Sequence, residues 1–284
     1  MKIKKVYTKI SKRYAMIKAH PLASKNGLLA LFRYFKFNII QYLNPKPRIY
    51  SWVNGLHFYA EKGDAGIVGN IYYQLMDYEE SMFVLKELNK NDLFVDAGAN
   101  VGHFTLLAAG VANVEVIAVE PIKNTFLKLK KNVDLNELSK RVKLFNIGLS
   151  DTIGTLHFIN NMNVMNKVSN NVGENTTEVE VTTLDILLKD QNPTLIKIDV
   201  EGFEYFVLKG AKKVLRKPSL KFLMIEFNNS GKSFGISDDE VFKFVLEHGF
   251  IPVKYDVENS KLVPISGYNT SKFNTLFVKE DLKK

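Results

Sequence analysis

From residue 92 onward, the apolar positions switch regularly between short continuous runs and runs with a helical period. The continuous runs are typical of buried strands, and the periodic runs are typical of amphipathic helices. Strands are predicted at residues 92–96, 114–119, 141–146, 195–199, 221–227, 250–255 and 273–279. Helices are predicted at residues 102–109, 122–138, 203–215 and 238–247. Strands separated by helices predict an α/β protein with a seven-stranded, mostly parallel sheet and helices on both faces.

Two interruptions of this alternation are visible. The last two strands have no helix between them, so they are predicted to pair antiparallel at one edge of the sheet. Residues 154–160 and 178–182 alternate with a period of two and predict an inserted hairpin. Residues 161–177 are rich in Asn, Gly and Thr. A polar loop of this length is more often a lid or a binding loop than a simple connector.

The first 50 residues have a different pattern and a different charge. They contain twelve Lys and Arg residues and no Asp or Glu, whereas the other 234 residues contain 27 basic and 30 acidic ones. One face of a predicted helix is apolar, at Leu28, Leu31, Phe32, Phe35, Ile39, Tyr42 and Leu43. We expect this basic amphipathic helix to pack on the domain and to leave its basic face in solvent. Contact with a membrane surface or a partner is the alternative.

Composition excludes several classes of function. The body of the chain is mildly acidic, so no nucleic-acid groove is predicted across the fold. The chain has no Cys, which excludes disulfides, thiolate metal sites and a Cys nucleophile. No signal-peptide pattern and no apolar run long enough to span a membrane occur, so a cytoplasmic location is predicted. The predicted units are the helical extension at 1–50, a lead-in hairpin and helix at 51–90, and a ligand-binding domain at 91–284.

The stretch at residues 93–104 is a strand that ends in an acid, turns through two glycines and enters a helix. A dinucleotide site would show G-x-G-x-x-G after the strand, but here the order is Gly98, Asn100, Gly102. A carboxylate at Asp96 would repel a pyrophosphate. It suits a ligand with a cationic amine or sulfonium, and S-adenosylmethionine has both.

Other acids lie at the ends of later strands. Glu120 closes the second strand, where a carboxylate can bind both ribose hydroxyls. Asp199 and Glu201 follow the strand that is expected to neighbour the first one, so they are predicted to face the same crevice. Either carboxylate is a candidate to accept a hydroxyl proton or to bind the cofactor amine, with helix capping as the alternative. Glu204 is expected to be a plain helix residue, and no metal site is predicted.

The strings VDAGANVGHFTLLAA, EPIKNTFLKLKKNVDLN, TLDILL and LIKIDVEGFEYFVLKGA resemble the FkbM-type S-adenosylmethionine-dependent methyltransferases. The likeness covers residues 78–227, and the strings HPL at 20–22 and YE at 78–79 resemble the family's upstream region more weakly. The resemblance implies a class I methyltransferase (Rossmann-like) fold, O-methylation, and a sugar or glycan hydroxyl as the acceptor.

The resemblance also implies roles for single residues. Asp96, Gly98, Asn100 and Gly102 match the cofactor loop of the family, and Glu120 matches its ribose contact. The implied position of Asn146 is at the adenine. Two acids outside these motifs are further candidates, Glu79 in the lead-in helix for the cofactor and Glu226 at a strand end for the acceptor.

We therefore interpret the chain as a cytoplasmic S-adenosylmethionine-dependent O-methyltransferase for a saccharide or another hydroxylated acceptor. Two alternatives stay open. One is a methyltransferase for a small secondary metabolite or a lipid-linked intermediate. The other is a catalytically inactive cofactor-binding scaffold that works through its basic extension.

Overall fold

The computed structural model describes residues 2–159, 168–169, 176–270 and 272–282. Its helices are α1 (Lys2–Ala19), α2 (Gly27–Leu43), α3 (Ala65–Tyr73), α4 (Tyr78–Glu87), α5 (His103–Gly110), α6 (Lys123–Leu135), α7 (Leu184–Leu187), α8 (Glu204–Lys209) and α9 (Asp238–Glu247). Its strands are β1 (Arg48–Ser51), β2 (His57–Ala60), β3 (Leu93–Ala97), β4 (Glu115–Val119), β5 (Val142–Phe145), β6 (Gly148–Leu149), β7 (Gly154–Ile159), β8 (Val168–Ser169), β9 (Thr176–Thr182), β10 (Leu195–Ile198), β11 (Phe222–Glu226), β12 (Phe250–Asp256), β13 (Lys261–Pro264) and β14 (Asn274–Lys279).

Eight of these strands form one mixed sheet in the order β13-β12-β14-β11-β10-β3-β4-β5. Strands β11, β10, β3, β4 and β5 are parallel, and β14 lies antiparallel between β11 and β12. The chain runs outward from β3 to β5 and then returns to β10 on the other side of β3. The register pairs Asp96 with Lys197. The ends of β3 and β10 therefore meet at the switch point, where open α/β sheets bind ligands.

The central strands are apolar on both faces, and their side chains alternate between two cores. Phe94 of β3 packs in a core with α4, α5 and α6, whereas Val95 packs in a core with α7, α8 and α9. Both side chains are fully buried. A strand covered on both faces needs an apolar run rather than an alternating one, which is the pattern of its sequence. The predicted Rossmann-like arrangement is confirmed.

The structure differs from the predicted elements in detail. All seven predicted strands of the main sheet are present, and the short strand β13 adds an eighth at the edge beside β12. The inserted hairpin is confirmed as the antiparallel pair β7 and β9, which belongs to a four-stranded sheet with β6 and β8. Helices α3 and α7 are not among the predicted elements. Most of the predicted polar loop at 161–177 lies outside the described residues, and the domain boundaries stay a prediction.

Helices α1 and α2 pack together on α3. Ile17 of α1 is fully buried in a small cluster with Tyr72 and Tyr73 of α3. The guanidinium of Arg13 donates to the hydroxyl of Tyr73 at 2.9 Å and lies over the rings of Tyr34 and Tyr72, 4.9 Å and 5.3 Å from their centroids. Cation–π contacts of this kind fix the extension to the rest of the protein. None of the described helices is long and apolar enough to cross a membrane.

The face of α2 that packs is not the predicted apolar face. The buried side chains are Ala30, Phe37 and Gln41. The amide of Gln41 accepts from the N–H of Lys62 at 2.9 Å and donates to the carbonyl of Lys46 at 3.0 Å. These polar contacts orient the helix. Leu31 of the predicted apolar face packs against the cluster of Ile17, Tyr72 and Tyr73. The expectation that this face covers the domain is wrong for most of its residues, because Leu28, Phe32, Ile39, Tyr42 and Leu43 are exposed.

Asn132 of α6 joins the lead-in hairpin to the rest of the fold. Its side chain is fully buried, accepts from the N–H of Tyr59 at 2.7 Å and donates to the carbonyl of Val101 at 2.8 Å. We expect Asn132→Ala to lower the free energy of unfolding by about 3 kcal/mol, because it leaves two polar groups without a partner. Urea denaturation would measure this loss.

The neighbouring exposed residue gives a matched control. Lys131→Ala is expected to change the free energy of unfolding by less than about 0.5 kcal/mol. Equal effects of the two substitutions would contradict the role assigned to Asn132.

Candidate active site

The segment between β3 and α5 turns sharply over the carboxyl end of the sheet. Gly98 and Gly102 have φ angles of 81° and 102°, and Asn100 has 50°, all in the left-handed region that favours glycine. The N–H groups of Gly98 and Ala99 both donate to the carbonyl of Val119 at 3.0 Å. The loop is therefore fixed to the end of β4.

Glu120 supports the same loop from the other side. Its carboxylate is buried and accepts from the N–H of Asn100 and the N–H of Ile122, both at 3.0 Å. Burial raises the pKa of Glu120 to about 7, although the two hydrogen bonds oppose this rise. Each oxygen has a second lone pair, so the carboxylate can still accept from a ligand in the cleft.

Asp96, at the end of β3, has one oxygen with a partner and one without. Thr105 Oγ1 donates to Oδ2 at 2.6 Å, whereas the buried Oδ1 has no hydrogen-bond partner among the described residues. Burial raises the pKa of Asp96, and the ammonium of Lys197 opposes the rise. Buried polar atoms nearly always have a partner. The orphaned oxygen therefore marks a position for a donor or a cation from a ligand.

Lys197 carries a charge into the centre of the sheet. It is 3% exposed, and its Nζ donates to Oδ2 of Asp199 at 2.7 Å. Burial lowers the pKa of Lys197, but the nearby carboxylates of Asp199, Asp96 and Glu226 outweigh burial and raise it above its ordinary value. The ammonium and the Asp199 carboxylate form an ion pair at the bottom of the cleft.

The loop after β10 has two residues in the left-handed region, Glu201 with φ of 54° and Gly202 with φ of 99°. Glu204 supports this loop, because its buried carboxylate accepts from the N–H groups of Val200 and Gly202 at 3.1 Å. Burial raises the pKa of Glu204 to about 7. The expectation that Glu204 is a plain helix residue is wrong, since it orients the loop that carries Asp199 and Glu201.

Both loops line one cleft of about 1730 Å³. Among the described residues, nine carboxyl groups and six lysine ammonium groups line it, and the carboxyl groups are those of Glu61, Asp64, Asp77, Asp96, Glu120, Asp134, Asp199, Glu201 and Glu226. Burial and the carboxylates of Asp199 and Glu201 raise the pKa of Glu226 to about 9. Asp77 is open to the cleft, yet desolvation by the surrounding walls raises its pKa as well. A cationic ligand relieves this crowding because it favours the ionised carboxylates.

Two residues that were predicted to bind the cofactor, Glu79 and Asn146, are not among the described residues that line this cleft. Glu79 lines a second, smaller cavity, where its carboxylate pairs with Lys272 at 2.7 Å. The amide of Asn146 donates to the carbonyls of Glu120 and Pro121, both at 2.9 Å, and so stabilises the end of β4. The residues that follow Asn146, 147–149, do line the cleft. The cofactor contacts of Glu79 and Asn146 stay predictions that these positions do not support.

Among the charged residues of the cleft that the sequence did not predict, Lys197 and Asp77 bear most directly on the site. Lys197 stands inside an otherwise apolar strand, and a lysine in such a run is the signal that could have identified it. Asp77 precedes α4 with φ of 46° and lines the cleft two residues before Glu79. No local pattern distinguishes these two acids, because only the start of the helix decides which one points inward.

His103 also belongs to a buried network that the sequence did not predict. Its Nδ1 accepts from the amide of Asn70 and its Nε2 donates to the hydroxyl of Ser81, both at 2.9 Å. Burial lowers the pKa of His103 to about 3, so the ring is neutral. The amide oxygen of Asn70 accepts from the N–H of Met76 at 2.8 Å. The network fixes the segment before α4 against the start of α5.

A comparison with protein families identifies the domain. The model of the methyltransferase FkbM domain matches residues 96–252, more than half of the 284 residues. The chain belongs to the FkbM methyltransferase family. The predicted family, its class I methyltransferase fold and its cofactor, S-adenosylmethionine, are thereby confirmed.

Curated relatives of this FkbM protein are distant. The chain is 28% identical over 167 residues to the hexuronic acid methyltransferase AglP of Haloferax volcanii, a match that covers 58% of this chain and 65% of the relative. It is 28% identical over 185 residues to the methyltransferase sdnD of Sordaria araneosa, covering 49% of this chain and 71% of the relative. The chain thus spans slightly less than two thirds of the archaeal relative.

A solved structure of M. jannaschii TYW2 in complex with AdoMet covers 83% of this chain and 88% of its own, with 14% identity and a TM-score of 0.39. Membership of the FkbM family is shown by the sequence match over residues 96–252.

The residues of the cleft fit S-adenosylmethionine. The orphaned oxygen of Asp96 and the excess of carboxyl groups suit a ligand that carries an amine and a sulfonium. Glu120 can accept from ribose hydroxyls. The glycines leave no side chain between the loop backbone and a ligand.

Gly98 sets how closely the two loops approach. A Cβ atom at Gly98 would overlap the carbonyl oxygen of Asp199. We expect Gly98→Ala to lower the free energy of unfolding by about 3 kcal/mol, because an unfavourable φ adds to overpacking. It should also weaken S-adenosylmethionine binding by at least about tenfold. Denaturation and titration calorimetry measure the two effects.

Gly235 is the matched control, because its φ is 76° but a Cβ there would meet no atom within 4 Å. Gly235→Ala should cost about 1 kcal/mol of unfolding free energy and leave cofactor binding unchanged. If both variants behave alike, the contact between the loops is not what requires glycine at position 98.

Protonation of Glu120 should make cofactor affinity depend on pH. Because the pKa of Glu120 is raised to about 7, the free carboxyl group is increasingly protonated as pH falls below that value. Binding through the carboxylate then releases a proton, so affinity is full above the pKa and falls by about tenfold per pH unit below it. Calorimetric titrations between about pH 5.5 and 8 would show the slope.

Glu120→Gln should bind more weakly and with a flatter pH dependence. Glu180→Gln, at an exposed position of β9, should keep the slope of the parent protein. An unchanged slope in Glu120→Gln would show that another carboxyl group takes up the proton.

Proposed function

We propose that this FkbM protein transfers the methyl group of S-adenosylmethionine to a hydroxyl group of a saccharide or glycan-type acceptor. The carrying observation is the acidic cleft that is lined both by Asp96, at the end of β3, and by Asp199, on the loop after β10. The end of β3 and its loop support a cofactor half of the site, and the loop after β10 supports an acceptor half.

Methyl transfer to a hydroxyl group requires the protein mainly to align the cofactor with the acceptor and to supply a base. Bound S-adenosylmethionine supplies a methyl group already activated by the sulfonium. Asp96 and Glu120 would bind the cofactor, while Asp199 or Glu201 would accept the proton of the acceptor hydroxyl. The contact of Lys197 Nζ with Oδ2 fixes the orientation of the Asp199 carboxylate. Alignment of the reacting groups by such fixed side chains supplies much of the rate enhancement.

The acceptor end of the cleft suits a ligand rich in hydroxyl groups. Asn274 pairs with Glu226 in the sheet and lines the cleft, and its buried Oδ1 has no hydrogen-bond partner in the described part of the chain. The raised pKa of Glu226 keeps that carboxyl group protonated at neutral pH, so it can donate a hydrogen bond. A hydroxyl group can donate to the first residue and accept from the second. The hexuronic acid methyltransferase among the relatives supports a saccharide as the acceptor.

Transfer assays test the proposal. The full chain is incubated with methyl-labelled S-adenosylmethionine and a panel of uronic acids, sugar nucleotides, lipid-linked saccharides and small hydroxylated metabolites. We expect labelled methyl ethers on a saccharide, identified by NMR. Methyl ethers on small metabolites alone would show that the acceptor is a small metabolite and not a saccharide. Methyl transfer to nitrogen or carbon would contradict O-methylation. Tight NAD binding without S-adenosylmethionine binding would exclude the proposal altogether.

Substitution of the two acids tests their roles. We expect Asp199→Asn or Glu201→Gln to lower turnover by about a hundredfold or more, because loss of a general base commonly has an effect of this size. Affinity for S-adenosylmethionine, measured by calorimetry, should stay close to that of the parent. The same titration verifies that the Asp199→Asn variant is folded. This check is needed because the substitution leaves the buried ammonium of Lys197 without the carboxylate of Asp199. The exposed Glu180→Gln serves as the control.

Full turnover in both variants would show that neither carboxylate is the base. A parent protein that binds S-adenosylmethionine but methylates no hydroxylated acceptor would favour the inactive scaffold. The cytoplasmic location stays a prediction.

A further inference from the structure

Helix α2 presents an apolar face to solvent on the side opposite to its packed face. Its buried side chains are Ala30, Phe37 and Gln41. Its exposed apolar side chains are Leu28 (77%), Phe32 (60%), Ile39 (57%), Tyr42 (83%) and Leu43 (75%). Spacings of four, seven and four residues from 28 to 43 align these side chains along one side of the helix. We call them the α2 stripe.

The α2 stripe is too long to be incidental exposure. Single exposed apolar residues are ordinary, but aligned ones form a continuous patch, and such patches mark interaction surfaces. Sixteen residues of helix extend for about 24 Å.

Exposed basic residues flank the α2 stripe along the chain. The first 50 residues contain twelve basic and no acidic side chains. Lys25, Lys36 and Lys46, placed before, within and after α2, are exposed, as are Lys12 and Lys18 of α1. Lys36 follows the stripe residue Phe32 by one helical turn. An apolar strip with a cationic border matches the surface of an anionic membrane, where acyl chains lie below charged headgroups.

We propose that the α2 stripe docks the protein on a membrane surface that contains anionic lipids, with α2 in the plane of the interface. A nucleic acid would use the cations but would have no use for five exposed apolar side chains. A second copy would bring two identical basic extensions together, which like charges oppose. The contacts of Ile17 and Arg13 with α3 fix the extension, so the whole domain would sit on the membrane in one orientation.

Vesicle flotation of the full chain tests the proposal. Vesicles of phosphatidylcholine alone are compared with vesicles that also contain phosphatidylglycerol. We expect at least about tenfold more protein to float with the anionic vesicles, and this preference should shrink at high salt. The double variant Phe32→Ser, Ile39→Ser should lower the bound fraction by about tenfold or more. Lys25→Glu, Lys36→Glu should remove the preference for anionic lipid.

The control changes two exposed apolar residues outside the extension, Ile153→Ser and Ile186→Ser, and should float like the parent. Thermal unfolding and S-adenosylmethionine binding should be unchanged in every variant, because the altered side chains are exposed. Flotation and S-adenosylmethionine binding are measured separately. Failure of membrane docking would therefore leave the proposed methyl transfer standing, and failure of methyl transfer would leave membrane docking standing.

Three results would overturn the proposal. The first is absence of flotation with anionic vesicles. The second is undiminished flotation of the Phe32→Ser, Ile39→Ser variant. The third is a dimer, measured by light scattering, that the same variant dissociates while no vesicles are bound, since the α2 stripe would then be an interface between two copies.

Discussion

The buried ammonium of Lys197 is the constraint around which the carboxyl edge of the sheet is arranged. An ammonium group in the interior is costly unless anions surround it. Here Asp199 pairs with it at 2.7 Å, and Asp96 and Glu226 also raise its pKa. Burial, with repulsion between neighbouring carboxylates as a smaller cause, raises the pKa values of Asp77, Asp96 and Glu226, although Lys197 opposes the rise. The site is therefore prepared for a ligand that brings positive charge.

The acids around the two loops divide into two kinds. Glu120 and Glu204 each accept from two backbone N–H groups and so stabilise the loops. Asp96, at the end of β3, and Asp199, on the loop after β10, line the cleft. A ligand then meets carboxylates whose supporting backbone is already in place, and pre-organisation of this kind lowers the cost of binding. The close approach at Gly98 joins the two loops into one wall.

The sheet could be predicted because the spacing of apolar residues and the presence of an acid at a strand end are local properties, visible in runs of a few residues. The strand-end pattern placed Asp96, Glu120 and Asp199 at one edge. It could not separate Asp77 from Glu79, because both stand at the start of a helix and only tertiary packing turns one toward the cleft. Nor could it show that the amide of Asn146 donates to the backbone carbonyls of Glu120 and Pro121, which follow the preceding strand β4. The role of a residue cannot be predicted from the local sequence pattern when it depends on hydrogen bonds to residues far away in the chain.

The extension and the cleft meet in the four residues before α4. His20, between α1 and α2, contacts the carbonyl of Leu75 through its Nε2 at 2.8 Å and stacks on Tyr73. The network of His103 fixes Met76 at the next position. Asp77 follows and lines the cleft. These contacts form a continuous series of packed groups that joins the extension to the cleft wall at Asp77. The basic helices are thus built into the same part of the structure as the site, rather than attached to it by a linker.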